Sequence, residues 1–262
     1  MLRSIFIFIL LLVFCNGLFA NISVVNGLSH THKVNGGETL RGTIELINQG
    51  TKTENLKIYL NDYRYNEMGE SFFEVGGNKR TNLSWIELGT EEISLEAGKS
   101  FVLPYEVRVP KNLEFNGSYW SVVMIEPVDL LEDPMDLEMA VGVKSKIRYA
   151  VQIICNKGDD AQAKIDFKNA ELHKGERRLL FVDLLNTGEL YHKIQVLVEF
   201  YNPETGEQTA IVGSVMQSLH PDNCKRFAVD VSSVPKGDYQ AVLLAKCEDG
   251  NIFGMHADIG VK

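Results

Sequence analysis

Apolar residues recur at every second position along much of this chain, and this spacing constrains the fold more than any other feature. One run extends from Phe101 to Val109, where Pro110 ends it, and another extends from Met139 to Ile153. Successive side chains of a β-strand point to opposite faces, so each run predicts a strand with one buried face. Turn residues separate the runs, and no segment has a convincing amphipathic helical pattern. The sequence therefore predicts an all-β protein.

Three landmarks occur twice, in the same order, which predicts two domains with one strand plan. Many short strands with regular turns favour a sandwich or barrel. A Gly-x-Tyr landmark at the start of a late strand is typical of the tyrosine corner of immunoglobulin-like domains, although these tyrosines could be ordinary strand aromatics. We expect two tandem immunoglobulin-like β-sandwich domains, at 21–156 and 161–262. The matched landmarks are Ile47-Asn48-Gln49-Gly50 with Leu185-Asn186-Thr187-Gly188, Leu95-Glu96-Ala97-Gly98 with Leu219-His220-Pro221-Asp222, and Gly117-Ser118-Tyr119 with Gly237-Asp238-Tyr239.

The first 20 residues have the pattern of a secretory signal peptide. Arg3 supplies a positive charge, and the apolar core from Ile5 to Phe14 is shorter than the roughly 20 residues of a membrane span. A lipoprotein signal ending at Cys15 is an alternative, which Phe14 disfavours because a small residue is expected there. We therefore expect an exported protein, periplasmic or at the cell surface, with no membrane span after removal of the signal.

Charge and motif content argue against several classes of function. A net charge of −9 gives no basic footprint for nucleic acid. No nucleophile elbow, phosphate-binding glycine loop or His-Glu-x-x-His motif occurs, so we expect no enzyme, no cofactor and no small-molecule substrate. His30 and His32 would share a strand face, but without a third ligand we interpret them as a solvated strand end rather than a metal site. The acidic segment from Asp129 to Glu138 fits no calcium loop and is interpreted as a solvated connection.

Removal of the signal peptide leaves Cys155, Cys224 and Cys247, an odd number for an oxidising compartment. In the predicted second sandwich, the strand that starts near Cys224 and the strand that ends at Cys247 run antiparallel in opposite sheets. Their ends would meet at one end of the sandwich, so we predict a Cys224–Cys247 disulfide. The alternative is that all three cysteines are small core residues.

Four segments of the first half share their order and character with one known family. They are Ile44-Glu45-Leu46-Ile47-Asn48, Leu95-Glu96-Ala97-Gly98-Lys99-Ser100, Ser118-Tyr119-Trp120-Ser121-Val122 with Ile125-Glu126-Pro127, and Val141-Gly142-Val143-Lys144-Ser145-Lys146-Ile147-Arg148-Tyr149. On these residues, most of 21–155 resembles the N-terminal immunoglobulin-like domain of the periplasmic pilus chaperones. The chain is acidic, and Ile22–Ser29 lacks the arginine that the family carries in its first strand. The resemblance is therefore to an exported relative rather than to a true pilus chaperone.

The resemblance implies a function for the last strand of the first domain. In the family, alternating apolar residues of this strand are lent to a subunit that lacks a strand. Here these residues would be Met139, Val141, Val143 and Ile147, and Arg148 would be the basic residue that holds the partner's terminal carboxylate. The chain would then be a chaperone- or assembly-factor-like module that binds another exported or surface protein. The alternative is a structural or adhesive cell-surface protein without chaperone activity.

Overall fold

The computed structural model describes residues 21–128, 147–158 and 160–262. Within these ranges, nearly every regular element is a β-strand, and the single helical element is a 3₁₀ turn at Leu83–Trp85. No helix in this part of the chain is long and apolar enough to cross a membrane. The predicted all-β class and the two tandem immunoglobulin-like sandwiches are confirmed. The predicted signal peptide lies outside the described residues, and the predicted domain boundaries stay predictions.

The first sandwich consists of a four-stranded and a five-stranded sheet, with a small separate hairpin. Its strands, in chain order, are β1 (Ile22–Val24), β2 (Ser29–Val34), β3 (Thr39–Asn48), β4 (Glu54–Asn61), β5 (Arg64–Tyr65), β6 (Ser71–Phe72), β7 (Ile86–Leu88), β8 (Glu92–Leu95), β9 (Ser100–Arg108), β10 (Gly117–Pro127) and β11 (Tyr149–Lys157). The four-stranded sheet has the spatial order β1-β3-β9-β7. The five-stranded sheet has the order β2-β11-β10-β4-β8, and β5 pairs with β6.

The second sandwich consists of a three-stranded and a five-stranded sheet. Its strands are β12 (Ile165–Lys174), β13 (Arg178–Asn186), β14 (His192–Tyr201), β15 (Gln208–Gly213), β16 (Gln217–Leu219), β17 (Cys224–Asp230), β18 (Gly237–Cys247) and β19 (Ile252–Val261). The three-stranded sheet has the order β12-β13-β17. The other sheet has the order β15-β14-β18-β19, and β16 also pairs with β14.

Each sandwich has its own hydrophobic core, and most strands alternate between buried and exposed residues. In β14, every second residue from His192 to Phe200 is buried. β10 differs, because all nine residues from Gly117 to Ile125 are buried. One face of β10 packs on the first core, and the other packs on a second cluster described below. A strand buried on both faces is expected to have a continuous apolar run instead of alternation, which the sequence from Val122 to Ile125 has.

A buried asparagine stabilises the same turn in both sandwiches. Asn48 and Asn186 are each fully buried. Each side chain bonds two backbone carbonyls and one backbone amide, which links three segments of chain. Asn48 bonds the carbonyls of Lys52 and Leu95 (2.8 Å each) and the amide of Gly50 (2.9 Å), whereas Asn186 bonds the carbonyls of Leu190 (2.7 Å) and Leu219 (3.3 Å) and the amide of Gly188 (3.0 Å). The repeat predicted from the first two landmarks is therefore present at the level of individual hydrogen bonds.

Both predicted tyrosine corners are confirmed. The Tyr119 hydroxyl donates to the Phe115 carbonyl at 3.0 Å and accepts from the Phe115 amide at 2.7 Å. The Tyr239 hydroxyl donates to the Pro235 carbonyl at 3.0 Å. Both side chains are buried, so the third landmark has the same geometry in both sandwiches.

The structure does not contain the predicted Cys224–Cys247 disulfide. Cys155, Cys224 and Cys247 are all free thiols. Cys224 and Cys247 do belong to strands of opposite sheets, as predicted. However, Cys247 is buried with the core-facing residues of β18, whereas Cys224 is out of phase with the buried residues of β17. Alternate residues of a strand point to opposite faces, so the Cys224 side chain points away from the core that buries Cys247.

Candidate functional site

Strand β11 is paired along its whole length on one side and along only part of it on the other. β10 pairs with it from Tyr149 to Lys157, whereas β2 runs parallel to it and pairs from Gln152 onward. The Gln152 amide donates to the Leu28 carbonyl at 2.9 Å on the β2 side. Amides two residues apart on a strand point to the same side, so the Ala150 amide points to an edge that no described strand covers. Among the described residues, β11 therefore begins with a short free edge.

Only two of the five predicted partner-binding residues lie in the described part of the chain. Met139, Val141 and Val143 lie outside it. Ile147 precedes the free edge by two residues and is 47% exposed. Arg148 is also exposed. The assignment of all five residues to a partner-binding site stays a prediction.

Arg148 lies beside aromatic and acidic groups that the sequence did not indicate. Its guanidinium carbon is 6.0 Å from the centroid of the Phe73 ring, within the range of a cation–π contact. It also interacts with the Tyr59 hydroxyl, which donates to a Glu126 carboxylate oxygen at 2.9 Å. Burial and the Glu126 carboxylate raise the pKa of Tyr59, and Arg148 opposes this shift. Tyr59 and Glu126 come from β4 and β10, and Arg148 directly precedes β11, so the pairing of these strands brings the three side chains together.

A second apolar cluster covers the outer face of the five-stranded sheet and extends to the second sandwich. We call it the junction cluster. Its buried members are Tyr63, Tyr65, Trp120, Val122, Met124, Ile154 and Tyr191. The Trp120 indole donates to the Tyr63 carbonyl at 2.9 Å. The segment that carries β5 therefore packs between the two sandwiches and covers β10.

His220 of the second sandwich is enclosed by the junction cluster. Its ring centroid is 4.5 Å from that of Trp120 and 4.9 Å from that of Tyr191. Its backbone amide donates to the Tyr65 hydroxyl at 2.9 Å, and its Nε2 lies 3.1 Å from the side-chain oxygen of Gln152. Burial lowers the pKa of His220 to about 3, and the nearby Lys225 ammonium adds to this effect. The junction therefore holds a neutral imidazole across the ordinary range of pH.

Backbone contacts also hold the sandwiches together at Gly117. Gly117 has a φ of 85°, and a Cβ there would lie 2.0 Å from the Glu189 carbonyl oxygen. The next amide, that of Ser118, donates to this carbonyl at 2.8 Å. The Tyr191 amide donates to the Ser118 hydroxyl at 2.7 Å. The glycine of the Gly-x-Tyr landmark therefore permits a close contact between the sandwiches, which the sequence did not indicate.

The two neighbouring histidines share one strand face, as predicted, but they are not a solvated strand end. Both are partly buried in β2 and approach the hydroxyl of Tyr105 from the opposite sheet. The distances to it are 3.2 Å from His30 Nδ1 and 2.8 Å from His32 Nε2. Burial raises the pKa of Tyr105 to about 12 and lowers that of His32. The two histidines are therefore part of a hydrogen-bonded cluster with Tyr105 inside the sandwich.

No protein-family model and no curated protein matches the sequence. Solved structures do match it. A chain of the CsuC–CsuE chaperone–tip adhesion subunit pre-assembly complex, from the archaic chaperone-usher Csu pili of Acinetobacter baumannii, aligns over 90% of this chain and 98% of its own, with 11% identity and a TM-score of 0.51. The class 5 fimbriae chaperone CfaA aligns over 91% and 98%, with 12% identity and a TM-score of 0.47. A chain of the Salmonella enterica SafA pilin complex with the SafB chaperone aligns over 93% and 98%, with 10% identity and a TM-score of 0.47.

The Csu match carries the conclusion about the fold. It extends over both sandwiches and over nearly the whole of the matched chain. At 11% identity it establishes architecture and nothing about partners. The resemblance inferred from the sequence is confirmed at this level: the chain is a divergent protein with the two-sandwich, immunoglobulin-like fold of the pilus chaperones.

Proposed function

We propose that this chain is an exported, non-enzymatic module that binds another exported or surface protein by pairing an edge strand with it. The free edge of β11 at Tyr149–Val151 carries this proposal. Unpaired strand edges are usually blocked in soluble proteins because they recruit other strands. A partner strand laid along this edge would gain backbone hydrogen bonds, and apolar side chains at alternate positions would give specificity.

The predicted donor residues have the spacing that such a strand requires. The four residues all have odd numbers: Met139, Val141, Val143 and Ile147. Val151 and Ile153 of β11, which face the first core, also have odd numbers. If the β11 strand is extended toward the N-terminus when a partner binds, these four side chains fall on its core-facing side. They would fill a groove in a sheet that lacks one strand. The Csu pre-assembly complex, which contains a chaperone and a tip adhesion subunit, is a precedent for a partner of this class.

The position of Arg148 supports the proposal that it recognises an anionic group on the partner. Arg148 lies one residue from the start of the free edge and is exposed. A guanidinium forms paired hydrogen bonds with a carboxylate. Lys57 adds positive charge nearby, since its ammonium is 5.7 Å from the ring of Tyr59, whose hydroxyl interacts with Arg148. We therefore propose that Arg148 binds a carboxylate of the partner, with Tyr59 and Phe73 orienting its side chain.

The donor residues are tested by crosslinking pull-down of the tagged chain from its native organism. Val141→Glu and Val143→Pro should abolish partner capture without changing the circular dichroism spectrum, because they disrupt pairing and not the described core. Ile147→Asp should act in the same way. Ile211→Asp is the matched control, since Ile211 is 53% exposed on the edge strand β15 of the second sandwich.

The charge of Arg148 is tested in the same assay. Arg148→Glu should reduce capture, most strongly at low ionic strength, where charge interactions are least screened. Lys236→Glu makes the same change of charge at an exposed loop position and should leave capture unchanged. If all four edge variants capture the same partner as well as the unaltered chain, edge pairing is wrong. A structural or adhesive surface role then becomes the better account.

A further inference from the structure

Three potential metal ligands meet at one end of the second sandwich, far along the chain from the proposed partner-binding edge. They are His192 at the start of β14, Cys247 at the end of β18, and Asp249 in the turn before β19. One ligand atom from each lies within 4.8 Å of the other two. The strand register explains this, because Ile194 is paired with Cys247. His192, two residues earlier on β14, therefore lies opposite the turn that contains Asp249.

His192 lacks the hydrogen bonds that a buried imidazole needs. Its side chain is fully buried, with 0% of its surface exposed. Its Nδ1 lies at ion-pair distance, 3.0 Å, from an Asp249 oxygen, and among the described residues neither ring nitrogen has a well-formed hydrogen bond. Buried polar atoms are nearly always satisfied, so two orphaned nitrogens in one ring require an explanation. A bound ion would satisfy the nitrogen that faces Cys247 and Asp249.

We propose that His192, Cys247 and Asp249 bind a divalent transition-metal ion of the zinc type. An imidazole nitrogen, a thiolate sulfur and a carboxylate oxygen are the ligand types that zinc takes in proteins. A thiolate disfavours magnesium and calcium, which prefer oxygen ligands. Zinc holds such ligands about 2.0–2.3 Å from the ion. The three ligand atoms, which lie within 4.8 Å of one another, would therefore have to move closer together by only about 1 Å.

Three protein ligands leave the fourth position of a tetrahedral site for water. Asp249 is 45% exposed, so this position faces solvent. The turn already has local order, because the Asn251 amide donates to an Asp249 oxygen at 3.2 Å and the Glu248 amide donates to the Lys193 carbonyl at 2.9 Å. An ion would connect the start of β14 to the β18–β19 turn through side chains as well as through the backbone.

The test uses the full mature chain, reduced and freed of metal with a chelator. Titration with Co²⁺ should saturate at one equivalent and produce a thiolate-to-cobalt charge-transfer band with tetrahedral d–d bands. Zn²⁺ should displace the cobalt and abolish the charge-transfer band. Asp249→Asn should weaken binding at least tenfold. This variant keeps the fold, because Asp249 is on an exposed turn and asparagine retains an acceptor for the Asn251 amide.

Two substitutions serve as matched controls. Cys224→Ser removes a thiol, and His256→Gln removes an imidazole, from strands of the same sandwich. Both should bind Co²⁺ with unchanged affinity and the same spectrum. The proposal is wrong if no charge-transfer band forms, if Zn²⁺ leaves the band unchanged, or if Asp249→Asn binds as tightly as the unaltered chain. It is also wrong if Cys224→Ser abolishes the band, since the thiolate would then be a different one.

Discussion

At the scale of single residues, Asn48 and Asn186 show how a polar side chain can stabilise a hydrophobic sandwich. Each is fully buried and makes three hydrogen bonds to backbone groups. These bonds join a strand end to the turn that follows it and to a strand distant in sequence. Only asparagine combines two donors and an acceptor at this length, because aspartate has no amide donor.

Replacing either asparagine with alanine should destabilise the protein to a similar degree. A buried group left without its partner costs about 1–3 kcal/mol, and each substitution leaves several, so we expect a loss of about 2–4 kcal/mol. Urea denaturation of Asn48→Ala and Asn186→Ala measures it. Asn26→Ala is the control, since exposed Asn26 makes two comparable backbone bonds that water can replace. Equal losses for Asn26 and Asn48 would contradict this account.

Much of this residue-scale structure could be predicted because it is local. The Tyr119 and Tyr239 corners involve residues only four apart. The Asn48 and Asn186 turns were recognised from their repeated tetrapeptides. The His192, Cys247 and Asp249 cluster was missed because His192 is more than fifty positions from the other two and meets them only through the register of β14 and β18. Sequence spacing carries no information about register between strands so far apart.

At the scale of elements, the free edge of β11 makes a specific prediction for hydrogen exchange. The Gln152 amide is bonded to Leu28, whereas the Ala150 amide points to the same side beyond the reach of β2. The Ala150 amide should therefore exchange much faster than the Gln152 amide, since an amide that is not hydrogen-bonded exchanges without local unfolding. Exchange resolved by NMR measures both positions. Partner binding should slow Ala150 selectively, and strong protection of Ala150 in the free protein would show that the edge is covered.

The sequence predicted the strands themselves well and their partners less well. The runs from Phe101 to Val109 and from Val122 to Ile125 correspond to β9 and β10. An unbroken apolar run such as that of β10 is typical of a strand buried on both faces, but it does not indicate what covers the second face. That cover is supplied by Tyr63 and Tyr65, from a short segment that has no periodic pattern of its own. Its position depends on packing between the sandwiches, which no local signal encodes.

At the scale of the whole molecule, the junction cluster makes the two sandwiches depend on each other. His220 is fully buried, and its pKa is lowered to about 3 from an ordinary value of 6.5. Folding therefore requires the neutral ring, whereas the unfolded chain protonates this histidine near pH 6.5. The contribution of His220 to the free energy of unfolding is fully present above pH 6.5, and it is lost as the pH falls from 6.5 toward 3.

Acidification should therefore weaken the junction in a way that depends on His220. Between pH 6.5 and 5, protonation of His220 in the unfolded chain lowers the free energy of unfolding by up to about 2 kcal/mol. His220→Gln should show a correspondingly smaller loss of stability over this interval in urea denaturation. A slope remains, because the pKa values of His32 and His192 are also lowered by burial. Exposed His256 is the control, and His256→Gln should keep the full pH dependence; an identical slope in both variants would contradict the assignment.

The burial of β10 on both faces restricts how another protein can engage this molecule. One face of its sheet is occupied by the first core and the other by the junction cluster. Another chain is thus kept off both faces of β10, which is consistent with the proposed pairing along an edge of the sheet. Such pairing relies on backbone groups that every polypeptide has, so composition alone identifies no partner. A suitable partner is a protein whose own sheet lacks one strand, because such a sheet gains most from a strand that another chain supplies. Once that sheet is complete, the partner gains nothing further from this pairing.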